Sequence, residues 1–259
     1  MKAIRLKTEH LFNPVGVDFI APRLYWNCSG GKKQTAYQIV AADDAGNLLW
    51  DSGKVESTAM RAQWGGKPVP PKTKVLWKVR LWDESGSVGD WTEATFETGM
   101  DAWKAKWITG NYPVNKQERY PVDCFRKAFN VSSIQKARLY ITACGLYEAK
   151  INGQRIGDFV RAPGITDYRK RVQYQTYDVT NLLKAGENTL TVQLADGWYR
   201  GSTGAWGIRN QYGTETKLLA QLEITNTDGS VQTVVTDENW GWSNDGAIRF
   251  ADNKDGEIV

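Results

Sequence analysis

Lys74-Val75-Leu76-Trp77-Lys78-Val79-Arg80-Leu81-Trp82 sets the class of this protein. Val75, Trp77, Val79 and Leu81 fall on one face of an extended chain, with Lys78 and Arg80 on the other. Successive side chains of a strand point to opposite sides, so this period of two reads as a half-buried strand. The same period returns in Ala137, Leu139, Ile141 and Ala143 against Arg138, Tyr140, Thr142 and Cys144. It recurs in Leu190, Val192 and Leu194 against Thr189, Thr191 and Gln193, and again in Leu218, Ala220, Leu222 and Ile224. Asn152-Gly153 and Asp228-Gly229 lie between such segments and tolerate the positive φ angles of tight hairpins. Further breaks fall at Asp43–Asn47, Ser85–Gly89 and Asn111–Pro113. No stretch keeps a helical period for three turns, although Asp178-Val179-Thr180-Asn181 offers capping side chains for one short turn over Val179–Leu183. The expected class is all-β.

Outward from these strands, the chain is expected to hold two cores. The first hundred or so residues carry about seven short strand signals, which suits a fibronectin type III or immunoglobulin-like sandwich over residues 1–102. Residues 103–259 are longer and richer in strands, as in a jelly-roll (galactose-binding-like) β-sandwich with loops or a concave face open to ligands. The join is expected near Met100–Lys106. Asn253-Lys254-Asp255-Gly256-Glu257-Ile258-Val259 reads as a turn running into another strand, so the second domain is expected to be truncated at its C-terminal end.

The 259 residues carry 33 basic and 29 acidic side chains, a net charge of +4 without a long block of either sign. Neither a nucleic acid nor a membrane partner is implied. The opening Met1-Lys2-Ala3-Ile4-Arg5-Leu6-Lys7 has no apolar core of a secretion signal. Twelve Trp and eleven Tyr point to carbohydrate as a partner, because flat rings cover the C–H faces of sugars; filling a sandwich core is the competing use. Cys28, Cys124 and Cys144 lack metal-ligand spacing and read as small buried hydrophobes, or at most one bridge. His10 is the single histidine, which leaves no multi-His zinc site and no nucleophile motif beside it. No metal and no cofactor are expected.

Asp196-Gly197-Trp198-Tyr199-Arg200-Gly201 follows the strand at Thr189–Leu194 and is the most informative loop. Two glycines around Trp198, Tyr199 and Arg200 would let a flexible loop present a stacking ring beside a guanidinium fork. These three residues are candidate sugar contacts; closing the core with Trp198 is the equally open alternative. Trp206, Trp240 and Trp242 could extend such a platform, with packing in the core or at its rim as the preferred reading of each. Tyr168-Arg169-Lys170-Arg171-Val172-Gln173-Tyr174 mixes cations with rings but reads as a solvated edge strand.

Several segments carry a family resemblance. Asn13-Pro14-Val15-Gly16-Val17-Asp18, Pro22-Arg23-Leu24-Tyr25-Trp26, Gln34-Thr35-Ala36-Tyr37-Gln38-Ile39, Leu49-Trp50-Asp51-Ser52-Gly53 and Trp77–Asp83 resemble the opening of bacterial α-L-rhamnosidases, glycoside hydrolase family seventy-eight. Gly145-Leu146-Tyr147-Glu148, Ile151-Asn152-Gly153, Pro163–Tyr168, Tyr174–Thr180 and Gly197–Gly201 resemble that family's N-terminal module, in the same order. The resemblance implies a parent that hydrolyses terminal α-L-rhamnosides, in the periplasm or outside a bacterial cell. It also places the acid and base in an (α/α)₆ barrel of the same polypeptide, beyond this chain. The expected partners are therefore a rhamnose-containing glycan or rhamnoside and that barrel. Related modules in some members bind rhamnose through calcium with an Asp-Asn pair near an Asn-Gly turn, which makes Asn152 a fourth candidate contact. Ile151 stands where the Asp would be and offers no side-chain oxygen, so calcium is not expected. A non-catalytic accessory part of a hydrolase and a stand-alone carbohydrate-binding or adhesion module are the two readings left open.

Overall fold

The computed structural model describes residues 1–259, which divide into two compact units, Met1–Ala102 and Trp103–Val259. The first unit holds β1 (Lys2–Thr8), β2 (Val15–Val17), β3 (Arg23–Ser29), β4 (Ala36–Asp43), β5 (Leu48–Asp51), β6 (Val55–Glu56), β7 (Arg61–Gln63), β8 (Lys74–Trp82) and β9 (Thr92–Thr98). The second holds β10 (Asp123–Val131), β11 (Lys136–Cys144), β12 (Leu146–Ile151), β13 (Gln154–Arg155), β14 (Gln175–Asp178) and β15 (Gly186–Ala195). It continues with β16 (Lys217–Thr225), β17 (Val231–Val235), β18 (Gly241–Ser243), β19 (Phe250–Asp252) and β20 (Gly256–Ile258). Both units are β-sandwiches, the first of immunoglobulin type.

In the first unit the sheet β1-β3-β7 faces a sheet of order β2-β9-β8-β4-β5, with β6 paired to β4. Val75, Trp77, Val79 and Leu81 of β8 are all fully buried, as their alternation requires, and pack with Trp26, Leu24, Ile39 and Phe96. The buried indole of Trp26 donates to Gln34 Oε1 at 2.9 Å, and Gln34 Nε2 donates onward to Ser57 O and Ala59 O. The buried polar groups of Trp26 and Gln34 thus regain partners, without which burial would be costly, whereas the Trp77 indole N–H in the same core has none.

The second unit stacks a sheet of order β13-β12-β15-β10-β18 on one of order β14-β11-β16-β17. β10 is mid-sheet: it runs antiparallel to β15 from Asp123↔Leu194 to Val131↔Gly186 and on its other side pairs with β18. Leu139, Ile141, Leu190, Val192, Leu194, Leu218, Leu222 and Ile224 fill the space between the sheets. β11 alternates in sequence yet is buried on both faces from Ala137 to Cys144. The outer face of its sheet is covered by the segment entering the unit. Lys104 N donates to Gln221 Oε1, Lys106 N to Thr236 O, and Ile108 bridges Leu218.

Local differences from the sequence reading have physical causes. Asn152 and Gly153, at φ 51° and 81°, make the two-residue turn joining β12 to β13. Asp228-Gly229 sits instead in a five-residue loop closed by Asn226 N to Ser230 O, and only Gly229 takes positive φ. The turn at Val179–Leu183 is a single 3₁₀ turn, Thr180–Leu182, with Asp178 Oδ1 accepting from the Thr180 amide and hydroxyl. Tyr168–Tyr174 is not an edge strand: Lys170 N and Arg171 N both fold back to Asp167 O, and Tyr174 packs against Trp103 and Tyr140. All three cysteines are free thiols, so there is no bridge. No helix is long and apolar enough to cross a membrane.

Candidate functional site

β15 ends at Ala195, and the chain must turn at once because Gly145 and Leu146 lie against it. Gly197 takes φ +54°, and a Cβ there would sit 2.6 Å from Leu146 Cγ and 2.9 Å from the Gly145 carbonyl carbon. Glycine is the residue that fits both the angle and the space. Gly197–Arg200 then forms one α-helical turn, with Arg200 N donating to Asp196 O. Gly201 packs so close to Gly197 O that a Cβ would lie 2.4 Å away. The two glycines therefore fix this turn; they do not make it a flexible bracket.

Arg200, expected as a sugar contact, is 2% exposed and faces inward. Its Nε and Nη2 both donate to Asp196 Oδ1, at 2.7 and 2.6 Å, and its Nη1 donates to the Tyr112 hydroxyl at 2.6 Å. Asp196 is also 2% exposed, and its Oδ2 accepts from Arg209 Nη2 at 3.0 Å. The Arg200 guanidinium lies 5.3 Å from the Tyr120 ring centroid. A charge so deeply buried persists only when paired and hydrogen-bonded. Burial opposes the Arg200 cation, but Asp196 and the Tyr112 hydroxyl more than offset it and raise its pKa.

Behind Tyr112 stands Asp123, fully buried at the start of β10. It accepts from Thr216 Oγ1 at 2.6 Å, Trp242 Nε1 at 2.9 Å and the Tyr112 hydroxyl at 3.4 Å. Burial raises its carboxyl above the ordinary range against the pull of those donors. The polar network thus ties together the approach to β10, the turn after β15, the start of β16 and β18. Composition and periodicity did not reveal it. Its one local sign is the i, i+4 pair Asp196 and Arg200.

At this end of the unit lies a half-buried aromatic cluster. The Tyr199 ring meets Tyr168 edge-on at 5.3 Å, Tyr168 meets Tyr212 at 5.1 Å, and the Arg169 guanidinium lies 5.3 Å from the Tyr212 centroid. Tyr168 donates to Gly164 O, and burial pushes its hydroxyl up to about 12. Trp198 and Tyr199 are half-buried, and Trp206 is 90% exposed between the bridged residues Thr203 and Ile208. Trp242, by contrast, packs on the core with its indole N–H donated inward.

Asn152 does not join this group. β12 and β15 pair from Leu146↔Ala195 to Ile151↔Leu190, so Asn152 and Gly197 lie at opposite ends of that ladder. Five residues of strand separate them by about 17 Å. The Asn152 amide is engaged locally, donating to Leu182 O and Asn188 Oδ1 and accepting from Thr189 N. It shapes the turn.

Comparison with known proteins follows the two units. Residues 132–259 match the family model described as the α-L-rhamnosidase N-terminal domain. Residues 3–102 match that of the Rha78A-like N-terminal immunoglobulin domain. An α-L-rhamnosidase of Formosa agariphila is 36% identical over 271 residues, covering 96% of this chain and 29% of that protein. The crystal structure of the native α-L-rhamnosidase from Aspergillus terreus superposes with a TM-score of 0.91 at 34% identity, over 98% of this chain and 31% of that one. The enzyme from Dictyoglumus thermophilum gives 0.88 at 36% identity, over 100% and 31%. This chain thus spans less than a third of the length of each of these relatives.

Proposed function

This chain belongs to the α-L-rhamnosidase family, and we propose that it is the amino-terminal accessory and substrate-recognition part of an enzyme hydrolysing terminal α-L-rhamnosides. In this reading its domains are residues 1–102, a fibronectin type III-like sandwich, and 103–259, a jelly roll. It works with a catalytic barrel of the same polypeptide and does not cleave the glycosidic bond itself.

The observation that supports recognition is the half-buried cluster of Tyr168, Tyr199 and Tyr212, with Trp198 beside Tyr199 in the chain. Rings held in place cover sugar C–H faces with little entropy left to lose on binding. Trp198 and Tyr199 are the proposed contacts. Arg200 serves as a positioning residue beneath them, and Asn152 has no part in this surface.

The test has two arms. The purified chain should give no turnover of an aryl α-L-rhamnoside. The full-length parent carrying Tyr199→Ala should show a raised KM for a rhamnosylated oligosaccharide with kcat largely kept. Turnover by the chain well above a buffer blank, surviving repurification, would overturn the accessory role. An unchanged KM would remove the recognition surface.

A further inference from the structure

The outward face of the five-stranded sheet holds an open trough of about 500 Å³ over β12, β15, β10 and β18. Register sets its floor in rows. Glu148, Gln193, Cys124 and Ser243 lie side by side across β12, β15, β10 and β18; Lys150, Thr191, Arg126 and Gly241 form the next row. Toward the β15 terminus the floor continues through Leu146 and Ala195, with Arg155, Arg161 and Glu257 on its sides.

Its polar groups alternate in kind. Thr191 offers a hydroxyl and Gln193 an amide, each both donor and acceptor. The Glu148 carboxylate is held by Lys150 at 3.2 Å and Arg155 at 3.3 Å, which leaves it accepting and its neighbours donating. Among them lie the apolar surfaces of Leu146 and Ala195. Hydroxyl groups, which donate and accept at once, suit such a floor; acidic side chains, which only accept, suit it less.

The charges add a second constraint. Glu148 balances one of its two cations and the exposed Glu257 lies at the Arg161 end, while Arg126 and Arg161 are exposed and stand in no ion pair, which leaves two positive charges in excess. Arg126 lies on β10 and Arg161 in the segment whose Ala162 bridges Tyr147 of β12, so the two stand on opposite sides of β15, about three strand spacings or roughly 14 Å apart across the sheet. Two arginines whose backbones stand that far apart call for a ligand longer than one sugar ring that carries carboxylates along its length. They are too few for the regular phosphates of a nucleic acid.

We infer that this trough binds an acidic oligosaccharide, its hydroxyls on Thr191, Gln193 and Glu148 and its carboxylates on Arg126 and Arg161. The inference rests on the proposed function and locates a second glycan contact on another surface of the same unit. It would let an accessory domain hold an acidic polymer while terminal rhamnose is removed elsewhere.

Calorimetric titration of the 259-residue chain tests it, with a tetrasaccharide of alternating rhamnose and galacturonate, neutral maltotetraose and a tetraglutamate peptide as probes. The acidic tetrasaccharide should bind. Arg126→Ala and Arg161→Ala should each weaken it about fivefold, as expected for a partly exposed charge contact near 1 kcal/mol. Arg126→Lys should restore part of the loss, and both other probes should bind at least tenfold more weakly. No binding of the acidic tetrasaccharide, or equal binding of tetraglutamate, overturns the inference. Binding kept in both arginine variants but lost in Tyr199→Ala also overturns it, while leaving the proposed function standing.

Discussion

Replacing Asp196 by Asn leaves a guanidinium that is 2% exposed facing a neutral amide. Arg200 would keep the Tyr112 hydroxyl, the ring of Tyr120 and the longer-range attraction of Asp123. Removing one partner of a buried pair costs about 3–5 kcal/mol, because the remaining charge is left uncompensated. Arg200→Met should cost less, about 1–3 kcal/mol, since Asp196 keeps the 3.0 Å contact with Arg209, whose side chain is only 16% exposed. The double variant should be no worse than Asp196→Asn, which makes the two changes strongly non-additive. Urea unfolding followed by near-ultraviolet circular dichroism and tryptophan fluorescence would resolve the second unit, with the first serving as an unshifted internal control. For a unit of this size, 3 kcal/mol corresponds to a melting temperature lowered by about 6–12 °C. If Asp196→Asn costs under 1 kcal/mol, or Arg200→Met costs more than Asp196→Asn, the buried pair does not hold this turn.

Gly197→Ala should destabilise by about 2–4 kcal/mol in the same assay, because the Cβ meets Leu146 and Gly145 at a φ unsuited to alanine; a neutral substitution would mean the turn can relax. In the full-length parent, Trp198→Ala should weaken recognition of a rhamnosylated oligosaccharide by about 1–3 kcal/mol with melting nearly unchanged, whereas a large melting shift with constant KM would assign it to packing. Asp123 supplies a pH test. Burial raises its carboxyl above the ordinary 3.8, so the folded chain holds that proton to higher pH than the unfolded chain. Its contribution to stability therefore falls as pH rises from 3.8 through the raised value. Wild type should lose stability relative to Asp123→Asn across that window in urea titrations at stepped pH; a gain would contradict the assignment.

The sandwich class was legible because Val75, Trp77, Val79 and Leu81 state their burial by alternation alone. β11 was half-legible. Its inward set is evident, but the burial of Arg138, Tyr140 and Thr142 depends in part on a covering segment some thirty residues earlier. Local patterns carry no such information. The turn at Gly197–Arg200 failed for the opposite reason: glycine at both ends looks like freedom in a sequence, and only the closeness of Leu146 and Asp252 turns it into constraint. Asn152 and Trp198 were grouped by chemistry, while the β12–β15 ladder separates them. The tyrosine cluster joins three segments that no short motif could place together.

The mid-sheet place of β10 bears on how the second unit can be divided. The rhamnosidase N-terminal match begins at residue 132, one position after β10 ends. A piece cut at that residue would lose the strand that bonds to β15 along one side and β18 along the other. β15 would then present nine residues of unpaired backbone, from Gly186 to Leu194, as an open template for a neighbouring molecule. Phe125 and Phe129 would leave the core with it. Such a piece should self-associate, whereas one starting at Trp103 keeps every strand of the sheet. The shortest self-sufficient folding unit is therefore longer than the family-matched segment within it.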